Sequence, residues 1–336
     1  MAQIIMGVGT SHTPMLTLGS DEWVHRAADD LKNQNLNQSD GTWISYDALL
    51  EKVGPVYADR VTPEALAALA ERCQAALDRL KAEIARAAPD VIVIVGDDQS
   101  ELFGPENMPV LSIFYGEEVV THDRWGAETY PDWARRMGRG YAMDAVHSFP
   151  GAPDFALEII AGMMERGIDV STAARVEDPH RAGFGHAFGF VIRRLMGEAL
   201  VPVIPLLLNT YYPPNVPTAR RCHDMGRALR GAIEASGQDL RVAVVASGGL
   251  SHFIVDEGLD RRVIEGFAPD KADLLRDLPG GALMSGSSEI LNWVLTAGAV
   301  DHLPLKWVEY YPAHRTPAGT GVGTAFAVWA EAGEAA

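Results

Sequence analysis

Three runs of this chain, 4–8, 91–95 and 242–246, contain no polar side chain and are rich in Val and Ile. A strand with one face in water alternates apolar and polar residues, so runs without a polar position belong to strands covered on both faces. Helices on both sides of a parallel sheet provide that cover, and in such an open sheet ligands bind in the crevice at the carboxyl ends of the strands. The first run leads into Gly9-Thr10-Ser11-His12-Thr13-Pro14 and the last into Ser247-Gly248-Gly249-Leu250-Ser251-His252. Each sets one histidine in a loop of small residues at a strand end, and both are expected to face one site. The middle run stops at Gly96-Asp97-Asp98-Gln99, a third strand end with polar residues.

Strand-like and helix-like segments alternate through the rest of the chain. Thr62 as cap and Pro63 in the first turn begin a helix with the apolar stripe Leu66, Leu69, Cys73, Leu77, Leu80 and Ile84, ended by Pro89-Asp90. Further strands are expected at 110–115, 168–172, 203–208, 304–311 and 323–329, and helices at 153–166, 186–196, 218–235 and 283–295. Residues 18–60 have weak periodicity and many turn formers, and read as a surface excursion or lid. With neither a repeat nor a linker, the expectation is one α/β domain, 1–336, with a mostly parallel central sheet flanked by helices.

Of the 336 residues 47% are hydrophobic, enough for a large core. Lys and Arg number 28 against 45 Asp and Glu, a formal charge of −17 that repels phosphate backbones and anionic membrane surfaces. Nucleic acid and membrane are therefore excluded as expected partners. Cys73 and Cys222 are the only cysteines, both in helix-like segments, which speaks against a disulfide framework and for a reducing compartment. The first residues carry no basic stretch followed by an apolar one, and no run approaches the roughly 20 residues that span a bilayer. A soluble, cytoplasmic protein is expected.

Several residues are suited to chemistry. The small residues before His12 and His252 let each imidazole stand clear of the backbone, where it serves either as a hydrogen-bonded structural residue or as a group that reaches a ligand or metal. Glu289 follows Gly286-Ser287-Ser288 near a helix start, where a carboxylate is favourable as a cap by about 0.3–1 kcal/mol. In Asp178-Pro179-His180-Arg181-Ala182-Gly183-Phe184-Gly185-His186, two histidines and an arginine lie among glycines before a helix. His186 there either caps the helix or hydrogen-bonds an anionic substrate oxygen.

Together these motifs resemble the class III extradiol dioxygenases, the group of the protocatechuate 4,5-dioxygenase β subunit, and within it the single-chain 3-O-methylgallate and gallate dioxygenases. The resemblance runs through 9–14, 91–103, His186 with its helix, Asn209-Thr210-Tyr211-Tyr212-Pro213-Pro214, 248–252, 286–293 and Tyr310-Tyr311-Pro312-Ala313. It implies a non-haem Fe(II) cofactor, O2 as cosubstrate and a small catecholic acid as partner, with a homodimer as the expected assembly. It further implies that the segment after His12 supplies lid contacts which a separate small subunit supplies in two-subunit members. Position by position, His12 falls on the first iron-ligand histidine, Glu289 on the carboxylate ligand and His252 on the catalytic base, while His186 matches a histidine near the substrate. The second histidine ligand of the family is replaced here by Gln99. Glutamine binds metal through its amide oxygen, a weaker donor to Fe(II) than imidazole, and Asp98, Asp97 or His180 are alternatives.

The implied reaction inserts both atoms of O2 into the ring and opens it, with His252 as base and later as acid, roles that suit an imidazole. Tyr211 and Tyr212 are expected to line the pocket. His180 and Arg181, with Arg220 and Arg221, are the candidates for the substrate carboxylate, or else solvated surface groups. Two other readings stay open: a divalent-metal hydrolase using Asp97, Asp98, His12, His252 and Glu289, and a non-catalytic binding protein with a degenerate metal site.

Overall fold

The runs without polar positions lie at the middle of one eight-stranded sheet. The computed structural model of the chain describes residues 1–197 and 200–331; the expected domain also takes in 198–199 and 332–336, which lie outside the described residues. The strands are β1 (Gln3–Thr10), β2 (Val91–Asp97), β3 (Leu111–Phe114), β4 (Ser171–Ala173), β5 (Val203–Leu208), β6 (Arg241–Ser247), β7 (Leu305–His314) and β8 (Gly321–Trp329). Their spatial order is β7-β8-β1-β6-β2-β5-β3-β4. The four central strands, β1, β6, β2 and β5, are parallel to one another. Antiparallel β7 and β8 close one edge, and β3 runs antiparallel to β5 at the other. The fold is thus the α/β class with a mostly parallel sheet that the apolar runs imply.

The principal helices are α1 (Pro63–Ala87), α2 (Pro153–Glu165), α3 (His186–Phe190), α4 (Ala219–Glu234) and α5 (Ile290–Ala299). Along β2, Val91, Val93 and Val95 enter the core under α2, α4 and α5, whereas Ile92 and Ile94 enter the core under α1 and the 186–196 segment. Alternation of side chains about the strand thus fills two cores, which is why no position of the run 91–95 is polar. Helices α4 and α5 meet closely through glycine. A Cβ on Gly226 would stand 1.9 Å from the Leu295 carbonyl oxygen. Thr62 and Thr218 cap α1 and α4 through their side chains, each accepting the N–H three residues on. Cys73 and Cys222 are buried free thiols. No helix among the described residues is long and apolar enough to cross a membrane.

Some elements differ from expectation. The strand expected at 168–172 is only Ser171–Ala173. The segment 186–196 is α-helical to Phe190 and then widens into a π turn, Val191–Met196. The helix expected from 283 starts at Ile290, preceded by a 3₁₀ turn, Ser285–Glu289. Serine hydroxyls compete with helical bonding there: Ser288 Oγ donates to the Ser285 carbonyl, and Ser287 Oγ to the carbonyl of His252 in another loop. The 18–60 excursion holds two short helices, Trp23–Asp30 and Tyr46–Val53, and a two-strand ladder, Leu36–Asn37 with Trp43–Ile44. Its own small core of Leu36, Tyr46 and Leu49 packs with Ala318, Phe253 and Ile254, so it is fastened to the loop after β6 and the turn between β7 and β8.

Candidate metal centre and active site

The carboxyl ends of β1, β6 and β2 deliver His12, His252 and Asp97 to one place, and the turn before α5 adds Glu289. All four are buried. His12 Nδ1 lies 2.9 Å from Ser247 Oγ, and the Ser247 hydroxyl donates to the Ala187 carbonyl at 2.6 Å. With its only proton used, Ser247 accepts from His12, so Nδ1 is the protonated nitrogen. Nε2 is left buried without a hydrogen-bond partner, 3.2 Å from Glu289 Oε2. A lone pair and a carboxylate oxygen facing each other this closely are both satisfied by a cation between them.

Glu289 is fixed from several sides. Its Oε2 accepts the Gly249 N–H at 2.7 Å, and its Oε1 lies 3.3 Å from His252 Nε2. Burial opposes its charge, yet His252 and His12 hold its carboxyl well below the usual range. His252 Nδ1 donates to the Leu250 carbonyl at 2.8 Å, which turns Nε2 to the site. Its backbone N–H donates to Ser287 Oγ at 2.9 Å. Gly286 is required beside it, because a Cβ there would stand 2.0 Å from the His252 ring. Burial works against a charge on His252, but the Glu289 carboxylate outweighs it and raises the imidazole above its ordinary value.

At the end of β2, burial and the nearby Glu289 carboxylate push Asp97 above the ordinary carboxyl range. The Gln99 amide nitrogen donates to Asp97 Oδ2 at 3.1 Å and toward Glu289 Oε1 at 3.4 Å. Asp98 turns into its own loop instead, accepting the N–H groups of Glu101, Leu102 and Phe103 at 2.7–3.0 Å. Burial and Glu101 push its carboxyl up to about 6. His186, at the start of α3, places its ring 4.6 Å from that of His12, nearly perpendicular at 74°. Its Nδ1 lies 2.8 Å from Glu101 Oε1. Burial opposes a charge on His186, but Glu101, with Asp97 and Glu289 behind it, raises it to about 10. One ligand atom from each of His12, Asp97, His186 and Glu289 falls within 4.8 Å of the others, a group able to hold a metal ion.

A cavity of about 230 Å³ opens over this group. Trp125, Trp133, Tyr141, Tyr211 and Phe253 give it aromatic walls, and Arg26, Arg124 and Arg315 reach it from three segments. Arg315 is neutralised by buried Asp30, at 2.8 and 3.0 Å. Tyr141 OH donates to the His12 carbonyl at 2.7 Å. Of the residues singled out in the sequence, His12, Gln99, His186, Tyr211, His252 and Glu289 line the cavity. Tyr212 packs on Tyr211 behind the wall, its N–H bonded to Asn209 Oδ1. His180 pairs with Asp123 at 3.3 Å on the surface, Arg181 is exposed, and Arg220 and Arg221 lie on the outer side of α4. The cations near the cavity are therefore Arg26, Arg124 and Arg315, which sequence reasoning missed along with Glu101 and Tyr141. Of the five only Glu101 falls within a stretch that carries the resemblance, 91–103, two residues after Gln99; the other four lie outside those stretches.

Gallate dioxygenase of Pseudomonas putida is 33% identical over 135 residues, which cover 37% of this chain and 38% of that protein. The 2,3-dihydroxyphenylpropionate/2,3-dihydroxicinnamic acid 1,2-dioxygenases of Azotobacter vinelandii and Rhodococcus jostii are 27% and 30% identical over 179 and 178 residues. Each of those matches covers 53% of this chain and 48% of the relative, so the chain spans less than half the length of the curated relatives it matches here. The family described as the catalytic LigB subunit of aromatic ring-opening dioxygenase matches residues 53–325, most of the α/β sheet and every residue of the buried centre except His12, and the chain belongs to that family.

Proposed function

We propose that this chain is a non-haem Fe(II)-dependent extradiol dioxygenase that inserts O2 into a catecholic aromatic acid and opens its ring. The observation that carries the reading is the facing pair of His12 Nε2 and Glu289 Oε2, buried beneath a cavity with aromatic walls. Imidazole and carboxylate donors suit Fe(II), and the orphaned His12 nitrogen fits a bound cation. Bound Fe(II) would supply a site where catechol and O2 are held together and electron density passes from ring to oxygen. His252 takes a hydroxyl proton of the substrate on Nε2, which its Nδ1–H bond to the Leu250 carbonyl keeps turned to the cavity, and returns it as the ring opens. The aromatic walls stack on the ring and exclude water, and Tyr211 lies beside it. Arg26 and Arg124 hold the carboxylate, a charge-assisted contact. In this reading the 18–60 excursion serves as a lid, since it carries Arg26 to the cavity.

The test is anaerobic reconstitution with Fe(II), followed by oxygen uptake and absorption spectra with 3-O-methylgallate, gallate and protocatechuate. Uptake matched by a ring-opened product and lost in His12→Ala supports the proposal. Asp97, a second carboxylate in the ligand group, favours one rival, a hydrolase using a harder metal. Tight Mn(II) binding without oxygen uptake on any of the three phenols would decide for that rival.

A further inference from the structure

Glu101 is a buried carboxylate whose one side-chain partner among the described residues is His186, 85 residues away. Its Oε1 faces both the ring Nδ1 of His186, at 2.8 Å, and the His186 backbone N–H, at 3.4 Å. Gly185 makes the approach possible, because a Cβ there would stand 1.6 Å from Glu101 Oε2. A carboxylate at Nδ1 fixes the proton on that nitrogen and leaves Nε2 for the cavity. His12 is arranged in the same way, its Nδ1 tied to Ser247 and its Nε2 free. Two imidazoles are thus held from behind, with their rings at 74° and ligand atoms within 4.8 Å of Glu289.

Gln99 is oriented differently. The NH2 branch of its amide is the one turned to the two carboxyl groups: Nε2 donates to Asp97 at 3.1 Å and toward Glu289 at 3.4 Å. The amide oxygen is therefore not the atom that meets Glu289.

We propose that the metal-binding set of this chain is His12, His186 and Glu289, with Glu101 as the residue that positions His186, and with Gln99 as a hydrogen-bond donor that aligns Asp97 and Glu289. The assignment rests on the metal-dependent reading above and is independent of whether the ring is cleaved. A metal-ligating histidine characteristically donates its other N–H to a carboxylate or carbonyl, and loss of such a partner weakens metal binding about 10- to 100-fold.

The experiment measures the affinity of the full chain for Zn(II) and for Fe(II) under anaerobic conditions, by competition with a chromophoric chelator. Glu101→Gln, which keeps size and an acceptor oxygen, is expected to weaken binding about 10- to 100-fold, His186→Ala by more, and Gln99→Ala by less than about threefold. Binding lost in Gln99→Ala and retained in His186→Ala overturns the assignment. Should the variants at 101 or 186 misfold by circular dichroism, nitrogen-15 spectra of the Zn(II)-loaded parent decide. Metal-bound Nε2 on both His12 and His186 is expected, and a His186 free of metal overturns the proposal. Metal held by this set without oxygen uptake counts against the dioxygenase reading alone, whereas metal held through Gln99 with uptake counts against this assignment alone.

Discussion

The Ser247 hydroxyl stands between His12 Nδ1 at 2.9 Å and the Ala187 carbonyl at 2.6 Å, and by spending its proton on the carbonyl it makes the histidine the donor. One hydroxyl at the end of β6 thereby decides which nitrogen of a ring on β1's loop faces the site, while touching the backbone of α3. Ser247→Ala should leave that N–H buried and unpaired, at a cost of about 1–3 kcal/mol. Metal affinity should fall about 10- to 100-fold, because the ring is no longer held in one tautomer. A melting curve and a Zn(II) competition titration check this; unchanged affinity would mean that the backbone alone orients His12.

His252 is expected to separate chemistry from metal binding. Its Nε2 touches Glu289 at 3.3 Å but lies outside the proposed ligand set. His252→Ala should lower kcat by about 10²- to 10⁴-fold, the usual worth of a positioned base. Metal affinity should change little. Single-turnover oxygen uptake beside a metal titration tests both halves, and equal losses in the two would make His252 a support for Glu289 instead of a base.

Recognition of the substrate acid should fall on Arg26 and Arg124. Arg26 Nε is buried without a hydrogen-bond partner, and the Arg124 guanidinium lies over the Trp125 ring at 5.3 Å. Arg26 Nη1 pairs with the exposed Asp29 at 2.8 Å, whereas Arg315 is held by the buried Asp30. A hydrogen bond to a charged group is worth roughly 1.5–3 kcal/mol, so Arg124→Ala or Arg26→Ala should lower kcat/KM for protocatechuate about tenfold or more. Catechol itself, which lacks the carboxylate, should be nearly unaffected. Parallel losses on the two substrates would refute carboxylate recognition by these residues.

Asp30 joins the excursion to the β7–β8 turn, taking both Arg315 bonds and the Thr320 hydroxyl at 2.7 Å. Asp30→Asn leaves a buried guanidinium without its counter-charge, and breaking one side of such a pair costs about 3–5 kcal/mol. The variant should melt earlier, with the first protease cuts within 18–60. Cuts appearing elsewhere first would show that the small core around Leu36 holds the excursion without the ion pair.

His314, which lies outside the ligand group, predicts a pH dependence of stability. Its ring stacks on Tyr57 at 4.1 Å, and neither ring nitrogen has a partner. Burial first and then Arg60 push it down to about 4, against the smaller opposing pull of Glu257 and Asp59. The folded state therefore takes up this proton less readily than the unfolded chain does. The contribution is fully present above the unfolded value near 6.5 and is lost as pH falls through about 4. His314→Phe keeps the stack and removes the proton, so its melting temperature should decline less between pH 6.5 and 4 than that of the parent. Identical slopes would place the acid sensitivity elsewhere.

What the sequence determined by itself was whatever depends on neighbours along the chain. The unbroken apolar character of 91–95 requires cover on two faces, and the parallel centre of the sheet follows. Thr62 with Pro63, and Thr218, start their helices by bonds within one turn. Strand ends rich in glycine, serine and histidine mark where a site lies, and the turn formers of 18–60 mark an excursion. The tertiary structure alone decided which polar groups meet. Nothing local to Glu101 announces a bond to His186, nor anything near Asp30 a bond to Arg315 across 285 residues. The late start of α5, which puts Glu289 before the helix instead of inside it, depends on Ser287 bonding a loop far away in sequence. Periodicity is a property of one segment and survives in the sequence; the partner of a buried charge is set by how separate loops pack, and only the folded chain contains it.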